Sequence, residues 1–307
     1  MIAGKLSRRW IDAITIIAFL TTSVAALAVD IGPMTWTVRP EWINVKSPWT
    51  TISSLTTGAA GFLTLGLVYF LGRRLWGADA GVRALLFTLA SVLFVLLGHQ
   101  LTLDMLLSFC LTAALGSFLL AQAADVAPRQ RRAWMLACWM SMALAVLAKG
   151  LIGVLIPAVT LFGYMLWQRD WRLLQRLNLR WGLPLFGAVA LPWFVLAARA
   201  DPQFLRFFFV REHFQRFLTP VEHRTQPWWF FLLVLAVGIM PWLPQAARAL
   251  LSPFMDGAPR SSCEARGPSE AGGRSDAGPP FDARRVLWIW CVFVLVFFSA
   301  SDSKLIP

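Results

Sequence analysis

What most constrains this chain is a series of long apolar runs, at about 11–30, 52–72, 82–98, 104–124, 133–148, 150–167, 181–199, 228–247 and 286–300, with the charge confined mostly to the stretches between them. Most of these runs approach the ~20 residues a helix needs to cross a bilayer. In hydrocarbon every backbone N–H and C=O must be paired within the protein, and a continuous apolar run does this as a helix. The fold class is therefore all-α, a polytopic transmembrane helix bundle of about nine spans. The composition agrees. Only 14% of residues are charged, where a soluble domain carries about 25%. The sixteen Trp suit the membrane–water boundary, which favours amphipathic rings.

The formal net charge of +12 would suggest nucleic acid in a soluble protein. Here no module interleaves aromatic and basic residues for that purpose, and no nucleic-acid partner is expected. The basic residues instead gather between spans: Lys5/Arg8/Arg9, Arg73/Arg74, Arg129/Arg131/Arg132, Arg169/Arg172/Arg176/Arg180, and Arg248 with Arg260, Arg266, Arg274, Arg284 and Arg285. With a cytoplasmic N-terminus every one of these clusters falls inside, as the positive-inside rule requires. The expected location is a bacterial inner membrane. The first run ends near Ala26-Leu27-Ala28 and resembles a signal peptide, but its length and the spans that follow favour a retained first helix. The stretch 252–285 is rich in Gly, Pro, Ser and Ala and cannot build a core, so it reads as a flexible cytoplasmic linker. Residues 1–251 then form the main helical region, and 286–307 the last span and the start of a truncated C-terminal region. Three of the four cysteines, Cys110, Cys138 and Cys291, lie in spans, and no spacing suggests zinc or a disulfide framework.

The ionisable residues that the positive-inside rule leaves unexplained fall on the outward face. The loop 199–227 carries Arg199, Arg206, Arg211, Arg216 and Arg224, with His213 and His223. Its segment FLRFFFVREHFQRFL reads as an amphipathic helix lying at the interface on the periplasmic side. Its arginines offer forked donors to a phosphate; lipid headgroups would satisfy them equally. Asp104 opens the fourth span. An acid there is either functional or a helix cap. Lys149 sits at the outward turn of two short spans, at the same membrane depth, which suggests an ion pair in a shared cavity. A lysine that snorkels to the interface is the simpler alternative, for Lys149 and for Lys304 after the last span.

These pieces, in this order, resemble the lipid-linked glycosyltransferases with the type C fold, in particular the aminoarabinose transferase and protein O-mannosyltransferase branches. The stretches that carry the likeness are LVYFLGRRLWG (67–77), LTLDMLLSFCLTAAL (101–115), LAVLAKGLIGVLIPA (144–158), the segment 190–242 with its EHFQRF, and VFFSASDSKLIP (296–307). The resemblance implies transfer of a sugar from a polyprenyl-phosphate donor to a periplasmic acceptor such as lipid A. It implies a membrane-lipid environment and a pentosyl- or hexosyltransferase activity. Asp104 is then expected in a catalytic role, and Lys46, Lys149, His213, Arg216 and Lys304 in substrate binding, with Arg216 on the donor phosphate.

The sequence also departs from the family. The family's first outward loop carries an adjacent Asp-Glu pair; here that loop holds only Asp30 and Glu41, apart from one another. The family's Glu-Lys-Pro-Pro motif has its nearest echo in Val45-Lys46-Ser47-Pro48. Arg211 stands where a metal-ligand His is expected. The family implies a divalent metal, but its ligands are missing from these positions, so no metal or other cofactor is assigned. Relative to the family the chain looks incomplete at both ends. A truncated or inactive family member is the alternative to an active transferase. A lipid or sugar transporter is a third reading; it predicts ionisable residues near the midplane and paired repeats.

Overall fold

A computed structural model describes residues 48–99, 104–123, 125–201, 203–206, 208, 227, 229–255 and 281–300. Ten helices order the described chain: α1 Pro48–Trp76, α2 Ala78–Leu89, α3 Val92–His99, α4 Asp104–Ala121, α5 Pro128–Lys149, α6 Ile152–Gln168, α7 Leu179–Ala200, α8 Phe230–Gly238, α9 Leu243–Met255 and α10 Ala283–Ala300. Single turns lie at Leu173–Arg176, Phe204–Arg206 and Met240–Trp242, and no strand occurs among the described residues. By length and composition α4, α5, α7 and α10 can each cross a membrane. The expected span 11–30 lies outside the described residues, as do Lys46, His213, Arg216, Lys304 and most of the expected interfacial helix.

The central helix is α4, which packs against α1, α3, α5 and α6. Its Met105, Leu107, Leu111 and Ala121 are wholly enclosed. The outer surface is the reverse of a soluble protein's: Phe62, Leu196, Val296 and Trp181 are each more than half exposed. An apolar surface of this extent, on helices whose backbone is internally satisfied, is suited to contact with lipid.

Close helix contacts depend on missing side chains. Gly182 of α7 lies under the Trp139 ring of α5, and an added Cβ would come within 2.1 Å of its indole nitrogen. That indole N–H donates to the Leu177 carbonyl at 3.0 Å, which ties the start of α7 to α5. Small residues at crossings are the usual device for bringing membrane helices together.

Two expected spans are interrupted. The run 82–98 breaks at Ala90–Ser91, between α2 and α3, and the run 228–247 breaks at Ile239–Trp242. The second break has a local cause: Pro241 has no N–H to give and cannot continue the helix. The two breaks meet. Ser91 Oγ donates to the Gly238 carbonyl at 2.9 Å, and the Phe87 and Trp242 rings lie 3.9 Å apart. Helix also occupies both ends of the stretch 252–285 expected as linker, since α9 runs to Met255 and α10 starts at Ala283.

Candidate functional site

The site is built at the junction of α4, α5 and α6. Helix α5 ends at Lys149, and Gly150 then takes φ 87°, which a side chain would resist. Gly153, near the start of α6, sits 2.7 Å (as an added Cβ) from the backbone of Ala145 and Val146, so α6 turns back directly against α5. This hairpin holds Lys149 over the first residue of α4, where its ammonium donates to the Asp104 carboxylate. The Asp104 side chain is 0% exposed and that of Lys149 is 12% exposed. Each ion also has the helix end that suits it. A carboxylate is favoured at a helix N-terminus and an ammonium at a C-terminus, each by about 0.3–1 kcal/mol or more when partly buried.

The expected ion pair of Asp104 and Lys149 is therefore present. A lysine snorkelling into the interface would leave its ammonium in water, whereas this one is turned inward onto an acid. His99 closes α3 nearby in the chain, but its side chain lies outside what is described.

A further polar group lies on the same helix. Ser108 is one turn along α4 from Asp104 and therefore on the same face. It is 0% exposed, and its hydroxyl has no hydrogen-bond partner. Other hydroxyls in these helices behave differently: Thr64, Thr88, Thr112, Ser141 and Thr160 each donate to the carbonyl four residues back at 2.7–2.8 Å. Sequence reasoning missed Ser108 because a serine in an apolar helix is ordinarily back-bonded and silent.

The opposite end of the bundle is organised by arginine. Arg74 donates to Asp125 at 2.8 Å, and that hydrogen bond holds the Asp125 carboxyl below its ordinary value. Arg285 donates to Gln168 at 2.8 Å, and the Asp282 N–H donates to the Tyr164 hydroxyl at 3.0 Å. Among the described residues no group of three His, Cys, Asp or Glu could hold a metal ion.

Residues 53–197 match the dolichyl-phosphate-mannose-protein mannosyltransferase family. The chain has the fold of the type C lipid-linked glycosyltransferases, and the bundle described above is similar to theirs. The chain is similar to undecaprenyl phosphate-α-4-amino-4-deoxy-L-arabinose arabinosyl transferases. The protein of that description from Erwinia tasmaniensis is 30% identical over 86% of this chain and 45% of its own length. One from Pseudomonas aeruginosa is 37% identical over 79% of this chain and 40% of its own. The crystal structure of ArnT from Cupriavidus metallidurans bound to undecaprenyl phosphate superposes with a TM-score of 0.72 at 28% identity. It covers 99% of this chain and 55% of that one. The chain thus spans less than half the length of the curated relatives it matches.

Proposed function

We propose that this chain forms the donor-binding membrane part of a glycosyltransferase that moves a pentose, of the aminoarabinose kind, from a polyprenyl-phosphate donor to a periplasmic acceptor such as a lipid A phosphate. In that reaction the acceptor oxygen bonds to the anomeric carbon. The bond from that carbon to the donor's phosphate oxygen breaks, and the polyprenyl phosphate leaves with the electron pair. The catalytic need is for cations near the departing phosphate, which stabilise charge as it develops. The observation that carries the reading is the buried Lys149–Asp104 pair, placed by a glycine hairpin at one end of a membrane bundle. It is supported by the likeness to a protein crystallised with undecaprenyl phosphate.

In this reading Lys149 lines the donor-phosphate cavity. Asp104 holds it there. Its carboxylate is enclosed and already engaged by the Lys149 ammonium, so in this reading its role is to position Lys149. Arg216, His213, Lys46 and Lys304 complete the phosphate cradle from the outward segments. The N-terminus is cytoplasmic, the arginine-rich end faces the cytoplasm, and the protein resides in the inner membrane. No step is assigned to a metal.

The test removes both charges together, so that no uncompensated buried ion is left. Asp104→Asn combined with Lys149→Met is expected to weaken undecaprenyl-phosphate binding by about tenfold or more, as measured in detergent or nanodiscs. Its thermal unfolding midpoint should stay near that of the native chain. Undiminished affinity in a folded double variant would refute the donor-cavity assignment.

A further inference from the structure

The geometry points to Ser108 as a positioning residue for the Lys149–Asp104 pair: its hydroxyl, one helical turn beneath Asp104, holds the carboxylate in place through a single buried water shared with the Lys149 ammonium. This rests on the donor-cavity reading and deepens it.

Three observations carry the inference. The first is the departure from back-bonding. Five hydroxyls in the described helices donate to the carbonyl four residues before them. Ser108 does not, although the carbonyl of residue 104 is where its own back-bond would go. The second is burial. At 0% exposure a hydroxyl that is neither hydrated by bulk water nor bonded carries the full cost of its desolvation, which a polar partner at this position removes. The third is register. Residues four apart lie on one helix face about 5–6 Å between Cβ atoms, and the side chains lean toward the N-terminus. Ser108 therefore leans toward Asp104.

The chemistry of such a site is complete. A buried water needs roughly two to four polar partners. An ammonium carries three N–H groups, and that of Lys149 donates to the carboxylate. The carboxylate has about four acceptor positions, and the serine hydroxyl can both donate and accept. A water bonded to all three would stop the carboxylate from rotating and keep Lys149 aimed at the donor.

The experiment is a double-mutant cycle between Ser108→Ala and the charge-free pair Asp104→Asn/Lys149→Met, read as undecaprenyl-phosphate affinity. Ser108→Ala alone is expected to weaken binding about fivefold, and by less than about twofold in the charge-free background, because residues that act through one another are not additive. Ser108→Thr, which keeps the hydroxyl, should restore most of the affinity that Ser108→Ala loses. A residue that served only packing would show the same loss in both backgrounds and no selective rescue, and that result overturns the role. Full affinity in Ser108→Ala, alongside weakened binding in the charge-free pair, overturns Ser108 alone. Full affinity in the charge-free pair itself overturns the donor-cavity reading and this role with it. If Ser108→Ala does not fold, Ser108→Cys, with a weak donor in nearly the same volume, takes its place in the cycle.

Discussion

Lys149–Asp104 and Arg74–Asp125 are both cation–carboxylate pairs, set in opposite surroundings. The first is enclosed, with side-chain exposures of 12% and 0%; the second is open, at 43% and 63%. Breaking a buried pair leaves an uncompensated charge, at a cost of about 3–5 kcal/mol, while an exposed pair is screened by water and contributes little. Lys149→Ala is therefore expected to lower unfolding stability in detergent by several kcal/mol, and Asp125→Ala to change it little. The exposed pair also has a pH signature. Because the Arg74 hydrogen bond lowers the Asp125 carboxyl in the folded state, its contribution is complete above the unfolded value of about 3.9 and is lost as pH falls through the lowered one. The small difference between native chain and Asp125→Ala should accordingly vanish only in strong acid. Equal losses for the two variants at neutral pH would contradict this division. Asp104 stands out in the sequence because an acid at the edge of a membrane helix is rare; Asp125 gains its meaning only beside Arg74. Ser108 does not, since its meaning lies in a bond it fails to make.

Among the elements, the two interrupted spans are the feature least legible in the sequence. Pro241 and Gly238 announce one break; the other, at Ala90–Ser91, falls in the stretch from Val82 to Leu97, which holds neither proline nor glycine. It is recognisable only from its partner, since Ser91 serves the Gly238 carbonyl that the distorted helix leaves over. Discontinuous spans occur in transporters, where their ends face ions or substrate at the midplane. Here the breaks face each other and are closed by a hydrogen bond and the Phe87–Trp242 contact, which suits a fixed joint. Ser91→Ala leaves a buried carbonyl unsatisfied and should cost about 1–3 kcal/mol. Gly238→Val should cost more, because its Cβ would lie 2.7 Å from the Leu93 Cβ, and a packed core resists overfilling. Thermal unfolding of the two variants in detergent orders them; a Gly238→Val at least as stable as Ser91→Ala would show that the joint is loose. The remaining helices follow the sequence closely, because span length and apolar content are set by the thickness of the bilayer itself.

For the whole molecule, charge decides orientation. The basic residues at the ends of α1, α5, α6 and α10 gather on the face opposite Lys149. The proposed topology is tested by Thr225→Cys in a Cys263→Ser background. Cys110, Cys138 and Cys291 are buried and give little background. An impermeant thiol reagent should label this cysteine in intact spheroplasts; labelling only after lysis would invert the molecule and remove Lys149 from the outer face. The return of the chain to the bundle has a different consequence. Just before α10, Phe281 packs against Phe118 and Tyr164, Asp282 bonds to Tyr164, and Arg285 to Gln168. The last helix is therefore docked by its own grip on α4 and α6. Its register is set where it enters the bundle, as a key is seated by its shoulder, so the aromatic step at Phe281 rather than the length of α10 fixes how deep that helix sits.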